Sequence, residues 1–146
     1  MLTERLRLQV RVTDGRDDGW KRTDGEYVAH QGILRSALAI LEHCDAHGVL
    51  ERLVGDAGTL PDDYRLIVTG HSLGAGVAQM LAMLLRAQFA SAGTAAANVR
   101  GAAARIHCYA YSPPGGMLSI AAAKKTRGYV TSFVLGDDLV SRMSVR

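Results

Sequence analysis

The residues of this sequence best suited to chemistry are Gly70-His71-Ser72-Leu73-Gly74, which fit G-x-S-x-G. A serine in this pattern attacks acyl carbonyls when a sharp strand-to-helix turn lifts its hydroxyl clear of a sheet. Such a turn is crowded, so Gly70 and Gly74 are expected because neither flank can carry a side chain, with Ala75 and Gly76 keeping the next turn slim. The amide of Leu73 would face the developing oxyanion at the positive end of the following helix. A protonated serine is a weak nucleophile, so it also needs a base and an acid that orients the base. In the strand-turn-helix setting of this motif the acid follows the serine and the histidine comes last. Asp137 and Asp138, just past a strand-like run, are both placed to be that acid. The histidines are His30, His43, His47, His71 and His107, and none follows Asp138. His71 adjoins the serine, but a neighbour of Ser72 in the elbow points away from its hydroxyl, and packing is its expected role.

These residues need elements to hold them. Arg65-Leu66-Ile67-Val68-Thr69 reads as a β-branched strand, and Leu73–Phe89 as a largely apolar helix that starts directly after it. Within that helix Leu73, Met80, Met83, Leu84 and Leu85 have core spacing. Ile106–Tyr111 is a second strand closed by Ser112-Pro113-Pro114-Gly115-Gly116, Leu118–Thr126 a helix, and Tyr129–Leu135 a third strand before Gly136-Asp137-Asp138. This alternation predicts an α/β fold, a mostly parallel sheet flanked by helices. Upstream, Leu6, Leu8, Val10 and Val12 alternate with polar residues as in a strand, and Asp14–Glu26 forms a Gly/Asp-rich loop around Trp20. Ile33, Leu34, Ala37, Leu38, Ile40 and Leu41 recur at helical spacing, giving an amphipathic helix that stops near His47 and Gly48. Gly55–Asp63 and Ser91–Gly101 read as loops.

Composition narrows the function classes. The 146 residues are 48% hydrophobic and 21% charged, which fits one globular domain and excludes wholesale disorder. A net charge of +3 gives no case for a nucleic-acid partner. Leu73–Leu85 is shorter than the roughly 18 apolar residues of a membrane span and is expected to be a core helix. Cys44 and Cys108 are too few for a disulfide framework and fit reduced thiols in a cytosol-facing protein. The N-terminus lacks the pattern of a signal peptide.

Other constellations carry less. His43 and His47 stand four apart on one helix face, but Cys44 occupies the glutamate place of H-E-x-x-H and a third metal ligand is not evident. Asp14, Asp18 and Gly19 match three places of a calcium loop, which Arg16 and Gly25 break. Lys124, Lys125 and Arg127 are expected on a solvated helix face, with a contact to anionic lipid headgroups as the alternative, and His107 is expected as a packed or edge residue of its strand. The chemistry calls for no cofactor and no metal.

Gly70–Gly76, Cys108–Gly116 and Val134–Arg142 together resemble the class 3 lipases, most closely the branch with the sn-1-specific diacylglycerol lipases, and His30-Gln31-Gly32 is similar to that family's H-x-G before the elbow strand. The resemblance implies an α/β-hydrolase fold and a serine hydrolase of acylglycerol esters acting at a membrane surface. It implies Ser72 as nucleophile and Asp138, the second aspartate, as triad acid. Relatives of this branch are anchored by N-terminal transmembrane helices, which places the protein at the cytoplasmic face of a membrane. The family's R-G-[ST] oxyanion segment has no match between Met1 and His30, which leaves residues 1–27 unassigned, and the terminal histidine is missing. A full domain of this kind takes about 200–250 residues, so residues 1–146 are expected to be one incomplete catalytic domain, inactive by itself. The alternative is a lipid-binding or scaffold remnant that kept the elbow and lost the triad.

Overall fold

In a computed structural model of the chain, residues 11–13, 28–54, 64–91 and 105–143 are described. A short strand β1 (Arg11–Thr13) pairs in parallel with β2 (Val28–His30), which runs directly into α1 (Gln31–Ala46) and then α2 (Val49–Val54). The main unit follows: β3 (Leu66–His71), α3 (Leu73–Ser91), β4 (Ile106–Tyr111), α4 (Ile120–Lys125), β5 (Val130–Phe133) and α5 (Leu139–Arg142). β3, β4 and β5 form a parallel sheet in sequence order. This is the expected α/β architecture of a parallel sheet with helices.

The sheet's two faces differ because successive side chains alternate. On the packed face Ile106, Cys108 and Ala110 of β4 are buried, with Leu66 and Val68 of β3 and Val130 of β5 beside them. α3 packs on this face and α1 packs on α3; Ala75, Ala78, Ala82, Leu84, Leu85 and Phe89 of α3 and Ile33, Leu34, Ala37, Leu38 and Leu41 of α1 are buried in the core. Each fully buried leucine or isoleucine contributes about 2 kcal/mol of transfer free energy, so this layered contact is what fixes β3 and β4 under the turn between β3 and α3. Burial also pushes the Cys108 thiol up to about 11, which keeps it protonated and inert. On the other face Ile67, Tyr109, Tyr111 and Phe133 are exposed, with the rings of Tyr111 and Phe133 stacked at 5.0 Å.

α3 is long and apolar enough to cross a membrane by length and composition, but its buried residues face the sheet and α1, as the sequence led us to expect of a core helix. Leu73 departs from that expectation: at the first turn, before the helix settles on the sheet, it is 63% exposed. α2, β2 and α5 were not foreseen, since each is too short to show a period. The third strand is shorter than Tyr129–Leu135 suggested, because Tyr129 closes the turn after α4 and Leu135 lies fully outside the ladder. Residues 6–10 of the N-terminal strand, the Asp14–Glu26 loop, Gly55–Asp63 and 92–101 lie outside the described residues.

Candidate active site

The site is built at the carboxyl ends of β3, β4 and β5. Ser72 follows the last residue of β3 and has φ +53°, the left-handed region that costs a residue with a side chain about 1–2 kcal/mol. Its amide donates to the Tyr111 carbonyl at 2.9 Å, extending the β3–β4 ladder by one rung. Its carbonyl accepts from the amides of Ala75 (2.9 Å) and Gly76 (3.3 Å), so the first turn of α3 closes on the serine itself. The chain thus reverses from strand to helix within one residue, as the G-x-S-x-G pattern requires.

The glycines around it divide into two kinds. A Cβ on Gly70 would lie 2.2 Å from the Gly74 carbonyl oxygen, so Gly70 is there because the helix folds back across it. A Cβ on Gly76 would meet Met117 Sδ at 2.9 Å and Ile33 Cδ1 at 3.2 Å, so this glycine seats the loop after β4 and the start of α1 on α3. A Cβ on Gly74 would meet nothing within 4 Å. The expectation that both flanks of the serine must lack a side chain holds for Gly70 alone: at Gly74 it is the backbone that is approached. Leu73 is the first residue of α3, where helical geometry leaves the amide without a carbonyl four residues back. Ser72 is half-buried and Leu73 and His71 are exposed.

Of the two aspartates, Asp137 turns outward to an exposed ion pair with Arg142 at 3.1 Å. Asp138 turns inward as the N-cap of α5. Its Oδ1 accepts from the Val140 amide at 2.9 Å and its Oδ2 from the Ser141 hydroxyl at 3.5 Å. The neighbouring Ser112 hydroxyl does most to hold its carboxyl below the usual carboxylate range, with desolvation opposing and the Val140 and Ser141 donors reinforcing. The carboxylate is therefore ionised and fixed in direction.

Ser112-Pro113-Pro114-Gly115-Gly116, expected from the sequence to close the second strand, lies at the same end of the sheet. Ser112 has φ +47° and its amide donates to the Phe133 carbonyl at 2.8 Å, the same rung between β4 and β5 that Ser72 makes between β3 and β4. Gly115 donates to the Val140 carbonyl at 3.1 Å, and a Cβ there would lie 2.5 Å from the Met143 carbonyl oxygen. Met117 and Ser119 then pair with β2, through His30 N–H to the Met117 carbonyl and the Ser119 amide to the Val28 carbonyl. A strand end followed by Ser-Pro-Pro-Gly-Gly was the available signal.

The histidines fall elsewhere. His30 caps α1, its Nδ1 accepting from the Ile33 amide at 3.4 Å. His47 Nδ1 sits 2.8 Å from the His43 carbonyl, and their rings lie 4.1 Å apart at the end of α1. His107 is half-buried on β4, the middle strand.

Comparison with known proteins agrees with this geometry. The family Lipase (class 3) matches residues 6–146. Diacylglycerol lipase-alpha of Homo sapiens is 39% identical over 122 residues, covering 83% of this chain and 10% of that protein, and the Rattus norvegicus protein of the same name gives the same figures. Diacylglycerol lipase-beta of Mus musculus is 36% identical over 118 residues, covering 81% of this chain and 15% of that protein. The chain thus spans 10–15% of the length of these relatives. No solved structure matches it.

Proposed function

The chain belongs to the class 3 lipase family, and from that membership we propose that it carries the nucleophile-bearing part of a serine hydrolase acting on acylglycerol esters, as the names of its diacylglycerol lipase relatives suggest. The observation that carries this reading is the left-handed backbone of Ser72 at a one-residue strand-to-helix turn over Gly70. Ser72 is the nucleophile, the Leu73 amide an oxyanion donor and Asp138 the acid that orients the base. Attack by Ser72 Oγ on the ester carbonyl forms a tetrahedral oxyanion, which the Leu73 amide and the N-terminal end of α3 stabilise. The base takes the serine proton and returns it to the departing alcohol, and water then releases the fatty acid. The acidic partner keeps the base in the right tautomer. A lipid substrate puts the work at a lipid surface, which we take to be the cytoplasmic one, and exposed Leu73, Leu135 and Leu139 at this end of the sheet suit a lipid surface.

No histidine follows Asp138 in these 146 residues. As a polypeptide by itself the chain is expected to hydrolyse a short p-nitrophenyl ester slower by roughly several powers of ten than a complete triad would. In the full-length natural protein a fluorophosphonate probe is expected to label Ser72, and Ser72→Ala to remove the label together with diacylglycerol hydrolysis. A full-length protein left unlabelled at Ser72 would sink the hydrolase reading in favour of a lipid-binding or scaffold domain.

A further inference from the structure

We propose that Gln79 is a positioning residue, its side-chain amide tying β5, the strand that leads to Asp138, to α3, the helix that starts directly after Ser72. The inference rests on the reading of Ser72 and Asp138 as nucleophile and acid, while the tie itself is geometric. Among the described residues Gln79 and Thr126 are the buried polar side chains. Thr126 is answered within its own turn, its hydroxyl donating to the Ala123 carbonyl at 2.8 Å. Gln79, only 5% exposed, instead reaches across to the sheet, and its Nε2 donates to Ser132 Oγ at 3.1 Å. Ser132 stands in register with Ala110, so its side chain lies on the packed face under α3. Further along the same helix Arg86 lies 4.2 Å over the Tyr129 ring, just before β5 begins, and donates to the Ile106 carbonyl at 3.2 Å.

β5 needs such a tie. It stands at one end of the β3–β4–β5 order, and of its four residues Val130 alone is partly buried against the core. The ladder with β4 sets its register, but thin apolar packing beneath it does little to set its height over α3. An amide supplies what apolar contact lacks, because it is satisfied at one position of the Ser132 hydroxyl and left unpaired in the core at others. Gln79 lies seven residues after Ser72, and Ser132 six before Asp138. The bond therefore links the segment that raises the nucleophile to the segment that presents the acid, and does so without touching either.

Gln79→Met fills similar space without the donor, Ser132→Ala leaves the buried amide unpaired, and Ser132→Thr keeps a hydroxyl on a residue that suits a strand. In the 146-residue chain Ser132→Ala is expected to lower the urea midpoint more than Gln79→Met does. Adding Gln79→Met to Ser132→Ala is expected to raise the midpoint again, because the orphaned amide is then gone. In the full-length enzyme, with rates taken per serine labelled by a fluorophosphonate probe, Gln79→Met is expected to lower kcat about tenfold with KM unchanged, the scale of one hydrogen bond. Ser132→Thr is expected to stay close to wild type. The acidic limb of the kcat/KM profile is expected to move to lower pH in Gln79→Met, since a carboxylate that drifts from the base stabilises its protonated form less. Additive midpoint losses in the double variant overturn the proposal, and so does a lowered midpoint with kcat per labelled serine and the acidic limb both unmoved. Hydrolysis that survives Ser72→Ala is the separate failure of the hydrolase reading, and takes the positioning role down with it.

Discussion

Ser72 and Ser112 stand at equivalent places on neighbouring strands. Each follows a six-residue strand, each has a left-handed backbone, and each donates its amide to the last carbonyl of the next strand over. What differs is the way out. After Ser72 the chain enters α3 at once and folds back over its own strand, which is why Gly70 has no room for a Cβ. After Ser112 come Pro113 and Pro114, which supply no amide to close a first helical turn, and the residue two before it is Ala110, fully buried with its Cβ accommodated. One left-handed serine is thereby raised at the start of a helix, and the other leads into a proline turn that meets α5 through the Gly115 amide and the Val140 carbonyl. The same local backbone serves two ends, and the exit path selects which.

The harshest way to break this comparison is Gly70→Ala, which gives the elbow the residue that the other turn already has in register with it. A Cβ at 2.2 Å from the Gly74 carbonyl oxygen and 2.5 Å from its carbon cannot be absorbed by a side-chain rotation. The helix start must move, and the expected cost is about 3 kcal/mol or more, read as a fall in the urea midpoint with unchanged slope.

A subtler pair sharpens it. Ser72→Gly relieves left-handed strain, so despite the entropy gained by the unfolded chain it is expected to stabilise by up to about 1 kcal/mol, while abolishing any hydrolysis. Ser112→Gly relieves the same strain but removes the hydroxyl that helps hold the Asp138 carboxyl below its usual range, and is expected to gain less or to lose. Equal melting shifts for the two variants would mean that the serines differ in name only. Acid gives a third comparison. Asp138 has a lowered pKa, so its capping bonds contribute stability above the ordinary carboxyl pKa of about 3.9 and lose it as pH falls through the lower folded value. Exchange protection of the Val140 amide is expected to persist to about pH 4 and fail below it.

The elbow was legible in the sequence because its cause is local. A β-branched run, a glycine two before the serine and an apolar helix directly after it leave few other conformations. The parallel sheet was legible for a similar reason, since strands separated by helical runs must cross over. Spacing alone left Asp137 and Asp138 as equal candidates for the acid, and their contacts differ: Asp137 meets Arg142 in solvent, whereas Asp138 caps α5 through the Val140 amide. The left-handed turn at Ser112 was not legible, because the ladder bond that holds it joins Ser112 to Phe133 across the β4–β5 pairing, and no periodicity reports such a contact.

Gly74 shows where a pattern can mislead. G-x-S-x-G treats its two glycines alike, yet the clash belongs to the first, and the second contributes the carbonyl that is clashed with. Gly74 sits in the first turn of α3 with open space where a Cβ would stand, so Gly74→Ala is expected to stay within about 0.5 kcal/mol of wild type, or to rise toward the roughly 1 kcal/mol by which alanine favours a helix interior. A loss of more than 1 kcal/mol in a urea melt would mean that the turn is tighter on its helix side than its neighbours allow, and that the two glycines are equivalent after all.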